Sequence, residues 1–315
     1  GLVGMLDPVR PQVPGAVRAC RSAGIRTVMI TGDHPDTAAA IGRTLGLVSS
    51  ASQVVTGAAL DAMSDEELRR RAPEFSVYAR VQPQHKARIV RAWQQRGCVT
   101  AMTGDGVNDA PAVKAADIGV GMGVTGTDVT KNVADMVLAD DNFATIAAAV
   151  AEGRRIYENI RKAIQFLLAS NMSEVASIFL ATLLGIRLLE PVHLLWINLI
   201  TDCFPALALG MERAEPGSMH RPPRPRGQGI FAEGLGVDVL WQGALVTALT
   251  LGAYFAGVRL ETGLWQAAQS GLGVTMAFLT MSMAEIFHSF NLRSRRSAWP
   301  DSFPKMLYWY PKEIG

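Results

Sequence analysis

Four apolar runs in the second half of the chain restrict its fold more than any other feature. Residues 163–186, 193–211, 236–258 and 272–292 each approach the length a helix needs to cross a bilayer, roughly 20 residues. Backbone in lipid must satisfy its own hydrogen bonds, which leaves helices or closed barrels. Most of the charge lies in residues 1–160, so the mean hydropathy of +0.18 averages a soluble half and a membrane half. A net charge of +2 argues neither way on nucleic acid. No basic stripe interleaved with aromatics is present, and no nucleic-acid partner is expected. The three cysteines, Cys20, Cys98 and Cys203, are far apart and fit no metal-ligand spacing. Cys20 and Cys98 belong to the half expected in the cytosol, where thiols stay reduced. The opening Gly1-Leu2-Val3-Gly4 has neither Met nor signal peptide, so the chain reads as a piece of a longer protein.

The first half alternates short apolar runs with helical stretches. Strands are expected at 26–30, 54–55, 76–78, 98–102, 118–120 and 136–138, and helices at 14–23, 35–46, 58–72, 84–96 and 110–116. Strands alternating with helices imply a doubly wound parallel sheet covered on both faces, an α/β fold. Two of the strands run into turns suited to phosphate chemistry. Thr31-Gly32-Asp33 follows the first, where a hydroxyl and backbone N–H groups at a helix N-terminus can meet an anion; Asp33 also reads as a helix cap. Met102-Thr103-Gly104-Asp105-Gly106-Val107-Asn108-Asp109-Ala110-Pro111 follows the fourth. Asp105 and Asp109 flank a glycine-bracketed turn at a strand end, where ligands bind in open α/β sheets. Hard carboxylates of this kind suit Mg²⁺ together with a substrate phosphate.

The string Thr103–Pro111, together with Thr31-Gly32-Asp33 and Arg80-Val81-Gln82-Pro83-Gln84-His85-Lys86, resembles the P-type cation-transporting ATPases of the haloacid-dehalogenase-like superfamily, closest to their calcium-pump branch. The resemblance covers residues 1 to about 295. It implies a partial haloacid-dehalogenase-like phosphorylation domain over 1–142, with Thr31, Gly32 and Asp33 on the phosphoryl group and nucleotide edge. It also implies that Lys86 neutralises the transferring phosphate. By the same resemblance Arg80, Asn108, Asp7 and Arg10 belong to the nucleotide side, and ATP with Mg²⁺ is the expected cofactor pair. Thr31, Lys86, Asp105 and Asp109 are then the expected catalytic residues. The family's phosphorylated aspartate lies in Asp-Lys-Thr-Gly-Thr, a string this sequence does not contain. The actuator motif Thr-Gly-Glu-Ser does not occur either. The chain therefore reads as inactive alone, with the N-terminal part of the same pump as its partner.

Residues 143–162 read as a helical stalk, with Ile156, Ile160 and Ile164 at four-residue spacing. An α-helical transmembrane bundle of four spans is expected over 163–298, then an atypical tail, 299–315. Arg154, Arg155, Arg161 and Lys162 precede the first span. Arg213, Arg221, Arg224 and Arg226 separate the second from the third, and Arg293, Arg295 and Arg296 follow the fourth. The positive-inside rule puts these segments and the α/β half in the cytoplasm; the plasma membrane is the expected location. Arg221-Pro222-Pro223-Arg224-Pro225-Arg226 reads as a stiff extended linker.

Polar residues inside the spans point to an ion. Asn171 and Glu174 share a face of the first span, Asn198, Thr201 and Asp202 a face of the second, and Glu285 lies in the fourth. A carboxylate at the bilayer centre costs about 2.5 kcal/mol or more, so three on separate helices are best explained if they converge on a cation. Oxygen ligands of this kind suit Ca²⁺. Pro205 is expected to free a carbonyl beside them. Helix–helix hydrogen bonding of the two asparagines, and snorkelling of Glu285, are the structural alternatives. The family's calcium-pump pattern matches Asn171-Met172-Ser173-Glu174 and Asn198-Leu199-Ile200-Thr201-Asp202, although a glycine is more usual at Ser173. The expected function is ATP-driven export of Ca²⁺ from the cytosol. A pump for Na⁺/K⁺, Mn²⁺ or H⁺, a non-catalytic ion-binding membrane subunit, and a soluble-type phosphatase with an accidental tail are the alternatives.

Overall fold

The computed structural model describes residues 9–293. Asp7 and the 299–315 tail lie outside the described residues, as do Arg295 and Arg296. The chain forms two compact units: one runs up to Gly153 and includes Pro216–Gln228, and the other holds Arg154–Glu215 and the residues from Gly229 onward.

The first unit follows the expected alternation: α1 (Val13–Ser22), β1 (Met29–Ile30), α2 (Pro35–Thr44), β2 (Val54–Thr56), α3 (Gly57–Asp61), α4 (Asp65–Arg71), β3 (Val77–Ala79), α5 (Pro83–Gln94), β4 (Ala101–Gly104), α6 (Ala110–Ala115), β5 (Ile118–Met122), α7 (Asp128–Val133) and β6 (Met136–Leu138). All strand pairs are parallel. The strands form two three-stranded sheets, ordered β1-β3-β2 and β4-β5-β6. Among the described residues, β1 and β4 therefore each keep one edge unpaired. The two halves still share apolar packing: Ile30 touches both the Leu60–Leu68–Phe75–Tyr78–Ile89 cluster and the Val90–Met102–Val113 cluster.

Three expected elements differ, and of these the strand at 26–30 is only Met29–Ile30. The helix over 58–72 is two helices, because the Ser64 hydroxyl accepts the Glu67 N–H and starts α4 afresh. Acidic residues at 65–67 and arginines at 69–71 then match the helix dipole. The strand expected at 98–102 begins only at Ala101, since Asp117 Oδ2 takes both the Thr100 N–H and its hydroxyl. The basic linker docks within this unit. Arg226 pairs with Asp117 at 2.6 Å. Gly24, at φ +72°, lies so close to Pro222 and Pro223 that a Cβ would meet Pro223 Cδ at 2.8 Å.

Asp141 fixes the loop after β5. Its carboxylate accepts the Val124 and Thr125 N–H groups and the Thr125 hydroxyl at 2.7–2.9 Å. The bond from the Val124 N–H leads the effects that pull its pKa down to about 2. An unfolded aspartate titrates near ~3.9, so the folded form gains from this cap above pH 4 and loses the gain as pH falls toward 2. Asp141→Asn should therefore lower the unfolding temperature at pH 6 and narrow the difference from the parent between pH 4 and 2. Calorimetry in that window checks this; a gap that widens with acid would contradict it.

The second unit contains most of α8 (Phe143–Leu183), a single helix of 41 residues that includes both the expected stalk and the first span. It is followed by α9 (Pro191–Trp196), α10 (Cys203–Gly210), α11 (Leu235–Thr262) and α12 (Gly271–Leu292). Pro191, two residues before the span expected at 193–211, opens α9 where its missing N–H is harmless. Between α9 and α10, Ile197–Asp202 winds as a π-helix, so the second span is one rod from Pro191 to Gly210. By length and apolarity α8, Pro191–Gly210 and α11 can cross a membrane. The fourth expected span, α12, has 22 residues but is interrupted by Ser282, Glu285, His288 and Ser289. Cations on α8 hold the ends of other helices: Lys162 meets Glu215 at 2.8 Å and Arg161 meets Glu233 at 2.6 Å, while the Asn159 amide donates to the Gly210 and Glu212 carbonyls.

Candidate functional site

The phosphate-type turns are joined through β3 and α5. The Thr31 N–H donates to the Tyr78 carbonyl of β3, and the Arg80 and Val81 N–H groups donate back to Asp33 and Thr31. The Thr31 hydroxyl donates to Asp33 Oδ2 at 2.9 Å. Asp33 is thus held by Thr31, and His34, not Asp33, caps α2 through the Asp36 N–H. Arg80 sits just beyond β3 with φ +47° and an exposed side chain.

Three residues after Pro83 opens α5, Lys86 places its ammonium on Asp109 Oδ1. His85 secures that first turn: its Nδ1 accepts the Gln82 N–H and its Nε2 meets Asp61 at 2.8 Å. His85 stands three residues after the N-cap Gln82, the position from which a side chain reaches back to close a capping box.

Asp109 is buried at the end of its turn, pressed against a residue that must be glycine. A Cβ on Gly104 would come within 2.5 Å of Asp109 Cβ. The turn is pinned by the Thr127 N–H on the Asp105 carbonyl and the Thr130 hydroxyl on the Gly106 carbonyl, both at 2.8 Å. Asp105 is exposed, and its carboxylate has no hydrogen-bond partner among the described residues. The two aspartates therefore differ: Asp105 is a free hard anion suited to Mg²⁺, while Asp109 orients Lys86. Asn108 is exposed in the same turn. Arg10 is not brought to either turn, because its guanidinium holds the Asp141 carbonyl at 2.7 Å.

In the helical unit, Ser170 of α8 lies between two carboxylates. Its Oγ is 2.7 Å from both Asp202 Oδ1 and Glu285 Oε1, and Thr201 Oγ1 is 3.0 Å from Glu285 Oε2. All four residues are buried, and Asp202 Oδ2 has no hydrogen-bond partner among the described residues. A hydroxyl has one proton to give. Ser170 can satisfy both contacts only if one carboxyl carries a proton of its own; a cation between the carboxylates would serve instead. Glu174 is buried one turn away, with its two carboxylate oxygens 3.2 and 3.1 Å from the Asn198 amide nitrogen, which also donates to the Leu194 carbonyl at 3.0 Å. Asn171 does not join them. It is exposed and donates to the Leu167 carbonyl of its own helix, as its i, i+3 offset from Glu174 lets it fall at the edge of the buried stripe. Among the described residues, no three His, Cys, Asp or Glu side chains lie close enough together to hold a metal ion. Ser170 was missed in the sequence, yet Ser170, Ser173, Glu174 and Ser177 form an i, i+3, i+4, i+7 buried polar stripe.

Comparison with known proteins gives two family matches: a haloacid dehalogenase-like hydrolase over residues 1–117 and the C-terminus of cation transporting ATPases over residues 187–310. A calcium-transporting ATPase of Bacillus subtilis (strain 168) is 48% identical over 309 residues, covering 98% of this chain and 34% of the relative. Calcium-transporting ATPase 1 of Bacillus cereus is 47% identical over 306 residues, covering 94% and 34%. An endoplasmic reticulum calcium ATPase of Aspergillus fumigatus is 48% identical over 259 residues, covering 81% and 27%. The chain spans about a third of the length of the two bacterial relatives. The long apolar helices and the side on which the basic residues cluster make it a multi-pass membrane protein with a cytoplasmic α/β half.

Proposed function

Since this chain belongs to the cation-transporting ATPases, with a haloacid-dehalogenase-like catalytic half, we propose that it is part of an ATP-driven pump exporting Ca²⁺ from the cytosol. The observation that supports this most is the pairing of two separated sites in one chain: the Lys86–Asp109 and Asp105 turn, and the Ser170–Asp202–Glu285 cluster. The names of the relatives support Ca²⁺ as the ion.

In this reading Asp105 would hold Mg²⁺, which when bound would supply charge neutralisation and orientation. Lys86, steered by Asp109, offsets charge on the phosphoryl group in transfer. The Thr31 hydroxyl and the N–H groups around Gly32 orient its oxygens, with Arg80 and Asn108 on the nucleotide side. The unpaired edges of β1 and β4, each leading into one of these turns, fit a further strand bearing the phosphorylated aspartate, supplied from outside this sequence. Glu174, Asn198, Thr201, Asp202 and Glu285 supply oxygens to the transported cation, through four membrane spans including α12. Asn171 would join only after its side chain turns from Leu167. The continuous α8 is the coupling route, and the plasma membrane is the site of export.

The chain alone should form no acid-stable phosphoenzyme from labelled ATP, because the covalent step needs a carboxylate it does not contain. Co-expression with a segment carrying Asp-Lys-Thr-Gly-Thr should restore one, dependent on Ca²⁺. A phosphoenzyme on the chain alone would overturn the catalytic reading. Restoration by Mn²⁺ or Na⁺ in place of Ca²⁺ would overturn the ion, and no restoration at all would favour a non-catalytic subunit.

A further inference from the structure

Hydroxyls inside the helical unit usually donate to a carbonyl of their own helix. Thr182, Thr201, Thr247, Thr262 and Thr275 each donate four residues back, and Ser173 and Ser289 three residues back. Three buried hydroxyls make neither this bond nor any other among the described residues. Ser177 of α8, Thr250 of α11 and Ser282 of α12 are 0%, 0% and 4% exposed, and their oxygens have no hydrogen-bond partner among the described residues.

The helices that carry the three pack together on either side of them. Thr247 lies against the Ser173 carbonyl at 3.3 Å, which brackets Ser177 and Thr250 from one side. Ala181, Tyr254 and Ala277 pack in one apolar cluster, which brackets them from the other. Ser282 precedes Glu285 by three residues on α12, one helical turn, beside Met281. Unsatisfied hydroxyls in a dry interior are costly, and the usual remedy is a bound water with two to four polar partners. Small polar residues on a single helix would be packing detail. Unpartnered oxygens on three helices that pack together, one of them a turn from a buried carboxylate, point to a site.

We propose that Ser177, Thr250 and Ser282 hold a small cluster of ordered water between α8, α11 and α12. This water fixes the Glu285 carboxylate from the turn preceding it, opposite the hold of Ser170 and Thr201. Ser177, Thr250 and Ser282 are positioning residues: they act on the cation through Glu285. That role, though not the water itself, rests on the reading of Glu285 as a ligand of the transported cation.

The test uses the intact pump and the triple variant Ser177→Ala, Thr250→Val, Ser282→Ala. Hydroxyl radicals made from bound water by a short X-ray pulse should label Met281, although that side chain is 0% exposed, and the label should vanish in the triple variant. Apparent Ca²⁺ affinity in the variant should fall about tenfold, as for other residues that orient a metal ligand. Phosphorylation from inorganic phosphate without Ca²⁺ should not change, which separates positioning from damage to the fold. An unlabelled Met281 in the parent would overturn the water site. Labelling with unchanged affinity in the variant would overturn its action on Glu285. If the parent shows no Ca²⁺ dependence, the transport reading fails, and the Met281 label still decides the water site.

Discussion

Asp202→Asn should abolish Ca²⁺-dependent phosphorylation by ATP in the intact pump and leave phosphorylation from inorganic phosphate in place. Asp202 is buried, with Oδ1 on Ser170 and Oδ2 unpartnered. A buried carboxylate oxygen without a donor is expensive, and a cation that meets it offsets that expense. The amide keeps the shape and can accept from Ser170, so the packing of α8 against the second span should persist. Its loss of charge should be decisive, because Coulomb attraction between a divalent cation and a carboxylate in a low-dielectric site is far stronger than a cation–dipole contact. Back-phosphorylation from phosphate uses only the α/β site and should survive. Transport assays and phosphoenzyme trapping over a Ca²⁺ series check this. If the variant kept the parent's Ca²⁺ affinity, Asp202 would be a structural partner of Ser170 and nothing more.

Asp105→Asn should slow phosphoenzyme formation from Mg-ATP by a factor of about 10² or more, the usual cost of removing one electrostatic contact to a reacting group. The fold should be untouched. Asp105 is exposed, and the turn is held by its backbone carbonyl on the Thr127 N–H rather than by its carboxylate. Asp109→Asn is expected to act differently: it unpairs Lys86 inside a partly buried site as well, so structure and chemistry change together. Rapid-quench phosphorylation across a Mg²⁺ series, beside a melting curve, distinguishes the two. Near-parental rates for Asp105→Asn at low Mg²⁺ would remove the metal from this residue.

The sequence by itself determined the alternation of strands and helices in the first half and the long apolar helices of the second. Alternation of short Val/Ile-rich runs with amphipathic stretches dictates parallel pairing, because a crossover helix leaves no other arrangement. Apolar runs of about twenty residues dictate membrane-length helices for the same kind of local reason. The strand-end strings at Thr31 and Asp105 were legible because chemistry that depends on backbone turns is written in consecutive residues.

Contacts between distant residues were decided only by the tertiary structure. No local signal says that Lys86 lands on Asp109, that Asp141 caps the loop at Val124, or that Arg10 serves Asp141 and not a nucleotide. The same is true in the helices. Spacing placed Asn171 beside Glu174, but helix rotation against its neighbours turned one outward and buried the other, and it set Ser170 between two carboxylates from different helices. Periodicity gives the angle between residues on one helix; which angle faces the partner is set by packing across helices distant in sequence, and a one-dimensional pattern does not contain it.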